Sequence, residues 1–118
     1  MKIVNISSPP HVRLQNDRFS ESYLHEQPEL TGLNEAPFGG MICRIEPGEA
    51  TAPDFHNQDE LFVVVTGSGS LIAEGTTTTI HTGDIFSLPR KVEHVIKNTG
   101  STVLTFVSVW WPRSEPDS

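Results

Sequence analysis

Nine glycines and nine prolines are spread along 118 residues, and they leave no long window with apolar residues at the 3.6-residue spacing of an amphipathic helix. Helix therefore cannot dominate. Between the breakers lie short runs rich in Val, Ile, Thr and Phe: Lys2 to Ile6, Gly40 to Glu46, Glu60 to Thr66, Ser70 to Glu74, Thr76 to His81, Ile85 to Leu88, His94 to Lys97 and Thr102 to Trp111. Such runs read as strands. The breakers between them, among them Thr66-Gly67-Ser68-Gly69, Glu74-Gly75 and Thr82-Gly83-Asp84, supply the positive φ that tight turns ask for. Many short, regularly spaced strands predict an all-β chain folded as an antiparallel sandwich or barrel, which also hides strand edges.

Residues 7–38 are less regular, with Pro9-Pro10, Pro28 and Pro37 among scattered polar residues. The organisation expected is a single domain: an N-terminal arm or strand over residues 1–38 packing on the barrel, a barrel core over 39–111 and a flexible tail over 112–118. The arm has room for a short helical turn. Eight Lys+Arg against 15 Asp+Glu give a net charge of −7. Dispersed cations in an acidic chain cannot supply the counterion release that drives nucleic-acid binding, so nucleic acid and anionic membranes are not expected partners. Apolar stretches such as Leu61 to Val65 fall far short of the roughly 20 residues of a membrane span, and the first residues lack a signal-peptide core. A soluble, cytoplasmic protein is expected. The single cysteine, Cys43 in Met41-Ile42-Cys43, reads as a small buried side chain.

Two spaced patterns carry the chemistry. The first is Gly48, five residues, Asp54-Phe55-His56, three residues, Glu60, six residues, Gly67; the second is Gly83, five residues, Pro89, four residues, His94, three residues, Asn98. In an extended segment, positions of equal parity share a face, so Asp54, His56, Glu60, Phe62 and Val64 point one way. Their polar groups would converge inside a barrel. His94 on a neighbouring strand completes two imidazoles and a carboxylate, a donor set for one divalent ion, Fe2+ first, or Mn2+, Ni2+, Zn2+ or Cu2+, with coordination positions left for substrate. A cation there also offsets the desolvation of ionisable groups in an apolar interior.

Together the patterns resemble the paired motifs of the cupin superfamily, Gly-x5-His-x-His-x3-4-Glu-x6-Gly and Gly-x5-Pro-x-Gly-x2-His-x3-Asn. The resemblance implies a cupin-type jelly-roll β-barrel of two antiparallel sheets and places His56, Glu60 and His94 at three of the four metal-ligand positions. Asp54 stands where the family has its first His, and Lys91 where the family has Gly. Asp54 is read in three ways: a ligand with a shorter arm, a general base or acceptor behind the ligands, or an ordinary Pro-Asp surface turn. Lys91 is expected to force a slight rebuilding of its turn, because a non-Gly residue at positive φ costs on the order of 1 kcal/mol.

Phe62 and Val64 are the expected pocket walls, joined by Arg44 if its strand turns it inward and by Trp110 on the last strand. His11, His25 and His81 are read as hydrogen-bonded core or rim residues. The expected function is a small-molecule enzyme of non-haem-iron dioxygenase type. A metal-dependent isomerase, lyase or epimerase and a non-catalytic ligand-binding barrel are the alternatives. Apolar residues on both faces of the runs 60–66 and 102–111 predict a homodimer.

Overall fold

The computed structural model describes residues 3–8, 12–16 and 18–113. Its strands are β1 (Arg13–Asn16), β2 (Phe19–Tyr23), β3 (Gly39–Ile45), β4 (Asp59–Thr66), β5 (Ser68–Ala73), β6 (Thr76–His81), β7 (Ile85–Leu88), β8 (His94–Asn98) and β9 (Leu104–Trp111). They form a six-stranded sheet in the order β1-β2-β3-β9-β4-β7 and a three-stranded sheet in the order β6-β5-β8. Every pairing is antiparallel. The expected two-sheet jelly roll is what the chain adopts.

Period-2 alternation decides which face goes inward. On β4, Glu60, Phe62 and Val64 are buried, while Leu61, Val63 and Val65 are only half-buried on the other side. On β9, Leu104, Phe106, Ser108 and Trp110 are inward and almost fully buried. Met41, Cys43 and Ile45 of β3 join them, with Phe19, Tyr23, Leu71, Ile80 and Ile96 closing the core. Cys43 is completely buried, and burial pushes its thiol pKa well up. The run at residues 102–111 begins as strand at Leu104.

Gly67, Gly75 and Gly83 all lie between strands at positive φ. Gly67 has a second reason to be glycine, since a Cβ there would stand 2.8 Å from the Val103 carbonyl oxygen.

The N-terminal region departs from expectation. Residues 3–5 have no regular structure and residues 6–8 form a turn, so the run Lys2 to Ile6 is not a strand where it is described. The strands that residues 1–38 contribute to the large sheet are β1 and β2, with Phe19, Glu21 and Tyr23 opposite Ile45, Cys43 and Met41. Two 3-10 turns follow, Leu24–Glu26 and Leu33–Glu35. Beyond β9, Arg113 donates from its backbone N–H to the Pro37 carbonyl at 3.0 Å and from its guanidinium to those of Leu33 and Asn34, which ties the start of the tail to this loop. The tail beyond Arg113 lies outside the described residues, as does His11. No helix among the described residues is long and apolar enough to cross a membrane.

Candidate metal centre

Residues 48–56 run beside β8 as a broken extra strand of the small sheet. Pro53 lacks the N–H a continuous ladder needs, and the contact is made at separate points. Thr51 N–H donates to the Ile96 carbonyl at 2.9 Å, Ile96 N–H donates to Thr51 Oγ1 at 3.0 Å, and Asp54 and His94 exchange both backbone hydrogen bonds at 3.0 Å. The chain then bends at Asn57 and Gln58 and crosses to the large sheet, where Glu60 sits on β4. Asp54, His56 and Glu60 thus converge from two sheets, through a bend rather than along one extended strand.

The turn that delivers His94 is held from both sides. Arg90 clasps Asp59 with its backbone N–H at 3.0 Å and its guanidinium at 3.1 Å, and this pairing holds the Asp59 carboxyl below its ordinary pKa. Lys91 N–H donates to the His56 carbonyl at 2.8 Å. Lys91 itself has φ +65°. Lys91 thus takes the left-handed conformation that favours glycine, at a cost on the order of 1 kcal/mol.

Four donor groups meet. His56 Nε2 lies 2.9 Å from Glu60 Oε1 and 3.9 Å from Asp54 Oδ2, and His94 Nε2 lies 3.7 Å from Glu60 Oε1 and 3.8 Å from Asp54 Oδ2. Ligand atoms of Asp54, His56 and His94 all fall within 4.8 Å of one another. His56, Glu60 and His94 are buried and Asp54 is half-buried, so the surface-turn reading of Asp54 is excluded. His94 Nδ1 is 3.0 Å from the Val92 carbonyl, which can only accept. Nδ1 therefore carries the proton, and in the neutral ring Nε2 presents its lone pair to the two carboxylates. A lone pair and two anions around one point repel unless a cation lies among them. The donor set fits a divalent metal, with Val92 orienting the imidazole from behind.

Without a metal, the surroundings of His56 favour a proton on its ring. The hydrogen bond to Glu60 raises its pKa above the ordinary imidazole value, burial opposes the rise, and the charges of Glu60 and Asp54 and the Gln58 backbone add to it. A metal must displace that proton. Apparent metal affinity should therefore fall as pH is lowered, starting above the ordinary value of about 6.5. The linked stability effect has the opposite sign in metal-free protein: the raised pKa adds stability that is fully present below the unfolded-state pKa and lost as pH rises through the folded one. Thermal midpoints from about pH 5 to about pH 8, with and without metal, check both. A metal-induced gain that does not grow with pH would contradict the assignment.

Beside the donors lies a cavity of about 280 Å³ lined by Phe19, Glu21, Met41, Phe62, Ile96 and Phe106, by Asp54, Glu60 and His94, and by Ala50, Thr51 and Ala52 at its rim. Phe62 is held rigidly, stacked on Phe86 at 4.7 Å and edge-on to His94 at 5.6 Å. Val64 lies in the core and does not reach this cavity. Arg44 shares with Ile42 the face of β3 opposite Met41, Cys43 and Ile45, away from the metal side. Trp110 is inward but lines a different cavity with His25, Gly39 and Arg113. His81 is exposed on β6, 3.7 Å from Asp84. Phe19 and Glu21 were not anticipated, although the alternation Phe19-x-Glu21-x-Tyr23 carries a strand signal.

A two-sheet jelly roll with two imidazoles and two carboxylates converging inside it defines a class of small β-barrel with a donor set for metal. The chain belongs to the cupin family: the Cupin domain (Cupin_2) matches residues 41–110, more than half of its length. Among solved structures, a cupin 2 conserved barrel domain protein from Salinispora arenicola is 25% identical, with 94% of this chain and 87% of that chain covered and a TM-score of 0.74. The polyketide cyclase RemF from Streptomyces resistomycificus is 20% identical over 100% and 82% of the two chains, with a TM-score of 0.75. A sugar phosphate isomerase of the cupin superfamily from Silicibacter pomeroyi is 21% identical over 96% and 76%, with a TM-score of 0.74.

Proposed function

We propose that this cupin holds one divalent metal through His56, Glu60 and His94, with Asp54 as fourth ligand or as the base behind them, and that it oxygenates a small organic molecule. The observation that supports this reading is the convergence of Asp54, His56, Glu60 and His94 beside a partly open cavity whose lining is more apolar than polar. Bound Fe2+ would supply the one-electron chemistry by which O2 reacts with an organic substrate. The chain's own residues do the rest. Glu60, fully buried, supplies fixed negative charge, Val92 keeps His94 in the tautomer that presents Nε2, and Phe62 and Phe106 exclude water from the substrate side.

A second reading has its own support in Asp54. Its Oδ2 reaches both imidazoles at just under 4 Å, and if three other ligands suffice it can take and return a proton, which is isomerase, lyase or cyclase chemistry. Metal analysis of freshly purified protein followed by oxygen uptake in the iron form separates these. Iron with substrate-dependent uptake supports the oxygenase; another metal without uptake supports proton transfer; absence of metal leaves a ligand-binding barrel.

A homodimer also belongs to the proposal. On the outer face of the large sheet, Leu61 and Val63 of β4 pair with Val109 and Val107 of β9, Ile85 of β7 follows Val63, and Trp111 ends the stripe. Ile85 is 66% and Trp111 41% exposed. An apolar stripe of this kind suits an isologous contact between copies. Sedimentation at micromolar concentration should give a dimer; monomer alone would refute it.

A further inference from the structure

The metal-side cavity has a chemical character of its own. Three aromatic rings, Phe19, Phe62 and Phe106, together with Met41 and Ile96, supply its apolar lining, and Glu21, Asp54, Glu60 and His94 its polar groups. Phe62 and Phe106 meet at a 53° tilt with centroids 5.8 Å apart, so the lining offers an aromatic surface of the kind other flat rings pack against. Among the described lining residues the charged groups are Glu21, Asp54 and Glu60, with no Lys or Arg. Asp54 and Glu60 offset the charge of a bound dication, and with no Lys or Arg among the described lining residues the cavity has little to hold an anion, so it favours a hydroxyl over a carboxylate or phosphate. At about 280 Å³ the cavity is roughly twice the ~150 Å³ that accommodates a benzene molecule.

We infer that the ligand of this cavity is an uncharged aromatic molecule of about two fused rings, its body against Phe19, Phe62 and Phe106 and a hydroxyl-bearing edge toward Asp54 and Glu60. The inference rests on the proposed metal site and narrows what that site acts on. It sets aside phosphorylated sugars, whose anionic group would find no Lys or Arg among the described lining residues. Entry is past Ala52, which is exposed and lies on the rim without taking part in the core.

The test is calorimetric titration of zinc-loaded protein with 2,3-dihydroxynaphthalene, catechol and glucose 6-phosphate. Zinc is used because it is redox-silent and leaves the diols intact. The naphthalenediol should bind about tenfold more tightly than catechol, for the extra buried ring, and glucose 6-phosphate should not bind. Ala52→Trp places an indole in the mouth and should abolish naphthalenediol binding while its zinc content, measured on the same sample, stays at the parent level. Tighter binding of glucose 6-phosphate than of the diol, or an Ala52→Trp protein that binds the diol like the parent, would overturn the inference. Zinc uptake without any diol binding also overturns it and leaves the metal site standing. Diol binding that is the same with and without zinc supports the aromatic ligand and removes the metal site from its recognition.

Discussion

Glu60→Gln protein should emerge from purification folded and without metal. The substitution keeps the shape of a side chain that is only 1% exposed but removes the buried negative charge that lies 2.9 Å from His56 Nε2 and 3.7 Å from His94 Nε2. A divalent ion then loses its anionic ligand in a poorly solvated interior, and affinity should drop by more than about 100-fold, the upper end of what loss of an orienting partner costs. His94→Ala should behave alike. Asp54→Ala divides its two remaining roles: a drop as large as that of Glu60→Gln marks a ligand, and a loss of about 10–100-fold marks a group acting through the histidines. Metal content after dialysis, with folding verified by circular dichroism, is the measurement. Parent-level metal in both Glu60→Gln and His94→Ala would show that the cluster is not a metal site.

The second large effect concerns stability. Phe62 is 1% exposed and touches Phe86, Phe106 and His94 with its ring. Phe62→Ala should cost about 3–5 kcal/mol from lost burial and the cavity left behind, and lower the thermal midpoint by roughly 10–20 °C. Phe62→Leu, which refills most of the volume, should cost much less. Because Phe62 packs edge-on to His94, metal affinity should weaken in Phe62→Ala even with all four donors present. A thermal midpoint within about 3 °C of the parent would contradict the packing described.

The strands of the core were legible because period-2 alternation on a half-buried sheet leaves a direct mark. Val64 and its neighbours Val63 and Val65 differ only in parity, and parity decided burial along the strand. The candidate site was legible because two spaced motifs carry it. The N-terminal strands were obscured for a physical reason: on β2 the inward series Phe19, Glu21, Tyr23 is interrupted by a carboxylate that faces a cavity instead of the core. Arg44 shows the opposite limit. Its strand is buried on both faces over Gly39–Cys43, so alternation gives no signal and the direction of the guanidinium depends on tertiary packing. The segment before Glu60 was anticipated as extended, but Pro53 breaks its ladder and the chain changes sheets, which local propensity does not encode.

The paired backbone hydrogen bonds between Asp54 and His94 make position 54 a socket whose placement owes nothing to the side chain it carries. The main chain sets the distance to His94 whatever residue is present. The charge of a metal centre can thus be changed without disturbing the barrel: with Asp54 and Glu60 both ligating, a dication is neutralised, whereas an imidazole at position 54 would leave one positive charge. A neutral centre favours the higher oxidation state of a redox metal, and a cationic one favours the lower and is the stronger Lewis acid. With a metal bound at the proposed site, the aspartate at position 54 would be a setting of the centre's electronic character, held on a backbone frame that would accept another.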